Sequence, residues 1–104
     1  MTIRFYDHSI VKQAKSIALL DLGAMDNFMN LAYAKWLCLL IKQLENPRSL
    51  YNIDETENKS RRLKYYTDLE VWTGTVNTTL WFFLSDLREH KAILGYPCFA
   101  ATQP

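Results

Sequence analysis

The sequence predicts an all-α fold, a small bundle of three main helices with extended arms at both ends. Two observations predict it. Apolar residues recur at steps of three and four along most of the chain, which is the spacing of one helix face. Capping and breaking residues, among them Gly23 and Pro47, divide this pattern into three segments. The predicted helices span about residues 9–22, 27–45 and 55–90.

The first helix follows Met1–Tyr6, a segment whose weak alternation is compatible with a short edge strand or an arm. Asp7 or Ser9 can cap the helix, because short polar side chains accept hydrogen bonds from its first backbone N–H groups. Gly23 is suited to the position just after the last turn. Its apolar positions are Ile10, Val11, Ala14, Ile17 and Ala18.

The second predicted helix begins after Asp26 or Asn27, either of which can cap it. Its centre, WLCLL at Trp36–Leu40, makes it apolar on nearly all sides, which is typical of a helix at the middle of a fold. It ends before Pro47, because a residue that precedes proline disfavours the helical conformation.

The third predicted helix starts after Asp54, which forms a capping pattern with Glu57. The segment TGTVNTT at 73–79 has the composition of a strand or turn. The helical period nevertheless continues in phase on both sides of it, so we predict one long helix that can bend at Gly74. The positions that carry this period are Tyr66, Leu69, Thr73, Val76, Leu80, Phe83 or Leu84, and Leu87.

Composition predicts one domain, residues 1–104. Its last segment, Lys91–Pro104, is predicted to form an extended C-terminal arm. The net charge of +1 provides no overall field for a polyanion. The sequence shows no signal-peptide pattern and no apolar run of roughly 18 to 20 residues, so we predict a cytoplasmic protein with reduced thiols and no membrane partner.

A basic segment around residue 60 has two interpretations. On the predicted helix its charges alternate with Glu57 and Asp68, which indicates a solvated face of weak ion pairs. The alternative is contact with nucleic acid, in which a tyrosine stacks on a base. The residues concerned are Lys59, Arg61, Arg62, Lys64 and Tyr65.

A second uncharged stripe on the same predicted helix also has two interpretations. It is either packed inside the bundle, or it forms a homodimer or partner interface, since exposed aromatic residues mark interfaces. The predicted interface residues are Val71, Trp72, Thr75, Thr78, Trp81 and Phe82.

Enzymatic signals are sparse. Cys98 with His8 or His90 is a formal nucleophile pair, but any small protein offers such a combination. A zinc site from these residues and Cys38 lacks closely spaced ligand pairs. We therefore predict no catalytic, cofactor-binding or metal-binding residues and no cofactor.

The favoured hypothesis is a non-enzymatic protein that binds a protein partner stoichiometrically, as an inhibitor, immunity factor or adaptor, and forms a homodimer. The alternative is a nucleic-acid-binding regulator that uses the basic and aromatic segment 59–66. A third hypothesis, an enzyme built around Cys98 and His90, predicts a reactive thiol of low pKa.

Overall fold

The computed structural model describes residues 1–21, 23–49, 62–74 and 76–95, without the side chains of 46–49 and 62. Its fold is a closed β-barrel of six strands, and a seventh strand lies beside it. One short helix, α1, covers Leu31–Trp36. The strands are β1 (Thr2–Asp7), β2 (Lys12–Leu20), β3 (Asn27–Asn30), β4 (Lys42–Ser49), β5 (Arg62–Thr73), β6 (Val76–Ser85) and β7 (Ala92–Leu94).

The barrel follows the order β1, β2, β7, β3, β6, β5 and closes where β5 returns to β1. One edge of β5 serves two neighbours in turn. Its first half pairs with β4, and its second half pairs with β1 in a short antiparallel register centred on Phe5 and Val71. β1 closes the barrel on the second half of this edge, so β4, which pairs with the first half, lies outside the closed barrel.

Three neighbouring strands of the barrel, β2, β7 and β3, come from distant parts of the chain. β2 and β7 are parallel, with Leu20 opposite Leu94, and β3 pairs antiparallel with β7. The barrel interior is filled by side chains that alternate along their strands, which is the two-residue period of a sheet with one buried face. Fully buried apolar side chains include Ile3, Phe5, Met29, Leu69, Val71, Phe82 and Leu94.

The prediction of an all-α bundle is wrong, because the chain is mostly β-strand. The predicted helix at 9–22 is a turn followed by β2, and the predicted helix at 27–45 contains β3, α1 and the start of β4. Only six residues in that second region are helical, after Asn30, whose side chain accepts a hydrogen bond from the Ala32 N–H.

The predicted long helix at 55–90 is a β-hairpin over its described part. β5 and β6 pair along nine positions, and Gly74 turns the chain between them with a φ of +66°. A positive φ is readily adopted by glycine. The strand-like composition of 73–79 was therefore the correct signal, and the helical period through it was a coincidence of spacing.

The predicted terminal arms are wrong in their described parts as well. β1 is paired on both edges, with β2 and β5, and β7 lies between β2 and β3 in the barrel wall. Residues 96–104 of the predicted C-terminal arm lie outside the described residues. None of the described helices is long and apolar enough to cross a membrane.

Candidate active site

Asp21 lies where the chain leaves β2, beside the end of β7. Its backbone N–H donates to the carbonyl oxygen of Leu94 at 2.8 Å, which extends the parallel pairing of β2 and β7 by one residue. Asp21 is exposed. A strand end thus fixes the backbone that carries this carboxylate, and the carboxylate itself remains in contact with solvent.

Two local hydrogen bonds shape the loop after Asp21. The Gly23 N–H donates to Oδ1 of the Asp21 carboxylate at 3.0 Å, and the Ala24 N–H donates to the Asp21 carbonyl oxygen at 3.0 Å. An aspartate that accepts a hydrogen bond from the backbone two residues ahead forms an Asx turn. The turn orients the carboxylate by one oxygen, and Leu22, the residue between, contributes no polar side-chain group.

Gly95 packs directly against this loop. A Cβ atom at Gly95 would lie 2.3 Å from the Asp26 carbonyl oxygen and 2.7 Å from the Ala24 carbonyl oxygen, closer than real Cβ contacts. The Gly95 N–H donates to the side-chain oxygen of Asn27 at 2.9 Å in a buried contact. Glycine is therefore required here because the backbones of two distant segments approach each other too closely for a side chain.

Asn30, at the other end of β3, connects the same strand to the segment before β7. Its side-chain amide donates to the carbonyl oxygens of Arg88 and His90 at 3.2 and 3.4 Å, and its backbone N–H donates to the Lys91 carbonyl oxygen at 2.9 Å. Two buried asparagines, Asn27 and Asn30, thus hold β7 and its approach in place on β3.

The chain matches a family model described as the PEG10/RTL1 protease domain over residues 17–104, well over half of its length. The chain belongs to this family. The match begins within β2 and includes the Asp21 loop and Gly95, so the PEG10/RTL1 protease domain contains the whole site described above. The family is retroviral-protease-like. No curated protein matches the sequence.

Membership in the PEG10/RTL1 protease domain family corrects two predictions. The prediction that the chain is not an enzyme is wrong, because the family is one of protease domains and indicates a protease. The match gives no support to a purely non-enzymatic binder or to a nucleic-acid-binding regulator. Local sequence patterns did not reveal the candidate site, because Asp21 and Gly95 are more than 70 residues apart in the chain.

The predicted partner interface does not form one face of the molecule. Val71 and Phe82 are fully buried in the barrel. Trp72 and Trp81 lie on the outer side, where the Arg4 guanidinium sits 5.5 Å from the Trp72 ring and Trp81 stacks on Tyr66 at 4.2 Å. A strand sends neighbouring residues to opposite faces, so the stripe drawn on a helix divides between inside and outside.

The remaining two members of that predicted interface are threonines, Thr75 and Thr78. Thr78 is half-buried opposite Val71 in the β5–β6 pairing, and Thr75 lies outside the described residues. An interface that uses Trp72 and Trp81 on the outer side of the barrel stays a prediction.

The predicted nucleic-acid surface is also only partly described. Lys59 and Arg61 lie outside the described residues, and so does the side chain of Arg62. Lys64 and Tyr65 are exposed neighbours on β5 and therefore point to opposite faces of the strand. Residues 62–68 belong to β5, so the alternation of charges expected on a helix surface does not apply to this described part of the segment.

The two histidines contact carboxylates. His8 Nε2 lies 2.6 Å from Oε1 of Glu70, and His90 Nε2 lies 3.9 Å from Oε1 of Glu89. The hydrogen bonds from His8 and from the Asn77 side-chain amide lower the pKa of Glu70 below its ordinary value. Cys38 is exposed, and its thiol approaches the Trp36 carbonyl oxygen at 4.0 Å.

Cys98, on which the nucleophile-pair and zinc-site hypotheses depend, lies outside the described residues. Within the described part of the chain, no three histidine, cysteine or acidic side chains cluster as metal ligands.

A sequence signal for this candidate site did exist. Two short apolar runs, ALL at Ala18–Leu20 and AIL at Ala92–Leu94, are each followed at once by loop-forming residues, Asp21 to Gly23 in one case and Gly95 in the other. Short apolar runs bounded by glycine are typical of buried strands. Reading both runs as strands of one sheet would have placed Asp21 and Gly95 at neighbouring strand ends.

Proposed function

We propose that this chain is one half of an aspartic peptidase, in which the carboxylate of Asp21 acts on the peptide bond. The observation that carries the proposal is the position of this exposed carboxylate, held by an Asx turn in a loop whose Ala24 and Asp26 carbonyls pack against Gly95, inside a matched protease domain. A rigid backbone support under an accessible carboxylate is what a catalytic acid or base requires.

Aspartic peptidases use two carboxylates that share one proton, one of which accepts a proton while the other donates one. In the proposed reaction the ionised carboxylate removes a proton from water, and the water oxygen bonds to the carbonyl carbon of the peptide. The protonated carboxyl donates its proton to the carbonyl oxygen. The C–N bond then breaks as the amide nitrogen takes up a proton.

The second carboxylate comes, in this proposal, from Asp21 of a second copy of the chain. A twofold axis that passes beside the loop would bring the same loop from both copies together, since a twofold interface joins one surface patch to itself. The exposed position of Asp21 at a strand end leaves room for such an approach. The alternative is that Asp26, in the same loop, supplies the second carboxylate within one copy, and the tests below distinguish these two sources.

The first prediction is that Asp21→Asn abolishes peptide cleavage with little change in folding, because the amide keeps the shape but cannot exchange a proton. A loss of about three orders of magnitude or more in kcat/KM is expected for removal of a carboxylate that acts on the reacting atoms. Cleavage of a degenerate peptide library, read by mass spectrometry, measures this effect, and circular dichroism checks the fold.

The matched control is Asp86→Asn. Asp86 makes the same local contact, since its Oδ1 accepts a hydrogen bond from the Arg88 N–H at 2.9 Å, but it lies in the loop between β6 and β7. We expect this variant to keep wild-type cleavage. Full activity in Asp21→Asn, or equal losses in both variants, would contradict the assignment.

Mixing wild-type and Asp21→Asn chains tests whether two copies build the site. If each active site needs Asp21 from both copies, an equal mixture after exchange of subunits keeps about a quarter of the activity that the same total chain concentration gives as wild type. If one copy suffices, half remains. Loss of activity in Asp26→Asn together with the half-activity result would favour the intramolecular pair.

A further inference from the structure

An open groove of about 410 Å³ lies along β2 and the start of β7, and its lining extends to Leu19, two residues before Asp21. Its floor is largely apolar and includes Ile17 and Leu19. Their side chains are 72% and 44% exposed, whereas the alternate residues Ser16 and Ala18 are buried. Its other side is formed by the segment Glu89–Ala92. The groove therefore combines an apolar floor with a charged rim.

The groove begins within reach of the proposed reaction centre. Leu19 precedes Asp21 by two residues along an extended strand, so their Cα atoms are separated by about 7 Å. An extended substrate advances by about 3.3 Å per residue, so a substrate with its scissile bond at Asp21 and its chain along β2 reaches Leu19 within about two residues.

Lys91 places an ammonium group on this rim. It is exposed, and its ammonium lies 5.2 Å from the centre of the Tyr33 ring. In the described part of the chain no carboxylate lies within ion-pair distance of Lys91, whereas Glu89 Oε1 and His90 Nε2, also on the rim, lie 3.9 Å apart.

Tyr33, whose ring lies beneath the Lys91 ammonium, is itself held in place. Its hydroxyl donates to the Lys15 carbonyl oxygen at 3.4 Å, and its ring stacks on Trp36 with 6.1 Å between centroids. An ammonium over an aromatic ring is attracted to the ring and keeps its positive charge. The backbone of Lys91 is fixed as well, because its carbonyl oxygen accepts the Asn30 N–H.

We propose that this groove selects extended substrates in which an acidic residue lies close to the apolar residue that occupies the groove, and that Lys91 recognises the acidic side chain. The inference depends on the proposed function, since it places the groove beside the reacting peptide bond. Charge complementarity supports it, because an ammonium without an ion-pair partner gains most from a carboxylate.

The experiment compares cleavage profiles of the wild type and two variants on one degenerate peptide library with Glu, Gln and Lys equally present at every position. Wild type should cleave peptides with Glu about threefold better than those with Gln at one position near the cut, an effect expected for an exposed charge pair. Lys91→Glu should reverse that preference toward Lys. Lys64→Glu, which makes the same charge change at an exposed site on β5, should leave the profile unchanged.

The preference should also weaken as salt is added, because surface charge interactions are screened. Cleavage with equal rates for Glu and Gln peptides, or an unchanged profile in Lys91→Glu, overturns the inference while the protease assignment stands.

If wild type cleaves no peptide, the proposed function fails, and the groove is tested by binding alone. Fluorescent apolar peptides with a central Glu or Gln are then titrated with the wild type and with Lys91→Glu. Tighter binding of the Glu peptide that is lost in Lys91→Glu supports the groove as an acidic-peptide site. Equal affinities overturn it.

Discussion

Two contacts in this molecule join segments that are far apart in the chain, and they differ in kind. Gly95 meets the Asp21 loop through backbone atoms and one buried amide, the side chain of Asn27. His8 meets Glu70 through exposed side chains that can change charge, and the exposed fraction of the His8 side chain is 69%. The first contact is buried, and the second is open to solvent.

The chain keeps its geometry more firmly fixed at the buried contact than at the exposed one. A buried neutral hydrogen bond is insensitive to salt and to pH over a wide range, and leaving one partner unsatisfied costs the full desolvation of that group. An exposed ion pair contributes little and is screened by salt. The proposed catalytic loop depends on the first kind of contact, so its shape should persist under conditions that weaken the second.

The largest expected effect is that of Gly95→Ala. The new methyl group would overlap two backbone carbonyl oxygens, and backbone atoms cannot rotate away as a side chain can. We expect the free energy of unfolding to fall by about 3 kcal/mol, in the upper range for overpacking, and any cleavage activity to fall with it. Urea denaturation followed by tryptophan fluorescence measures the change.

Gly74→Ala is the matched control for Gly95→Ala. Gly74 has nothing within 4 Å of its Cβ position but adopts a φ of +66°, so the substitution meets conformational strain without a clash. We expect a loss of about 1 to 2 kcal/mol and normal cleavage, since the turn between β5 and β6 is not part of the site. A smaller loss for Gly95→Ala than for Gly74→Ala would show that the loop yields easily.

An intermediate effect is expected for Asn27→Ala, which removes the acceptor for the buried Gly95 N–H. The unsatisfied donor should lower the free energy of unfolding by about 1 to 3 kcal/mol. Asn77→Ala, which removes an amide from the exposed Glu70 contact, is the control and should change stability by less than about 0.5 kcal/mol. Equal losses in the two variants would remove the distinction between the two kinds of contact.

The failure of the fold prediction has a physical cause in β5 and β6. Their outer side carries aromatic residues such as Tyr66, Trp72 and Trp81, so apolar residues occur on both faces and the two-residue period is hidden. Phe82, Phe83 and Leu84 are all buried in succession. With both faces apolar, residues at steps of three and four are apolar by chance, and the helical period then appears across a β-turn.

Other parts of the sequence were closer to the structure. The alternation of Ile3 and Phe5 corresponds to the buried face of β1, although the strand is paired on both edges and is not an edge strand. The strand-like composition at 73–79 marked the turn at Gly74. The site itself depends on the pairing of β2 with β7, which residues close in sequence do not specify, so Asp21 and Gly95 were missed.

The smallest expected effect concerns pH and the Glu70 contact. Hydrogen bonds from His8 and Asn77 lower the pKa of Glu70 below its ordinary value of 4.5 in the folded protein. A carboxyl whose pKa is lowered on folding stabilises the fold fully above its unfolded pKa and loses that contribution as the pH falls through the folded value. At pH values above about 5, Glu70→Gln should therefore lower Tm by a small amount, and the difference from wild type should shrink in acid.

Thermal unfolding of the wild type and Glu70→Gln across this pH range, at low and high salt, measures the effect. Glu89→Gln is the matched control, because the Glu89 carboxylate is 3.9 Å from a histidine and its side chain is 87% exposed. We expect this control to change Tm little at every pH. A difference for Glu70→Gln that grows as the pH falls would contradict the lowered pKa, and a Tm loss as large as that of Asn27→Ala would mean that the exposed contact supports the barrel as strongly as the buried one.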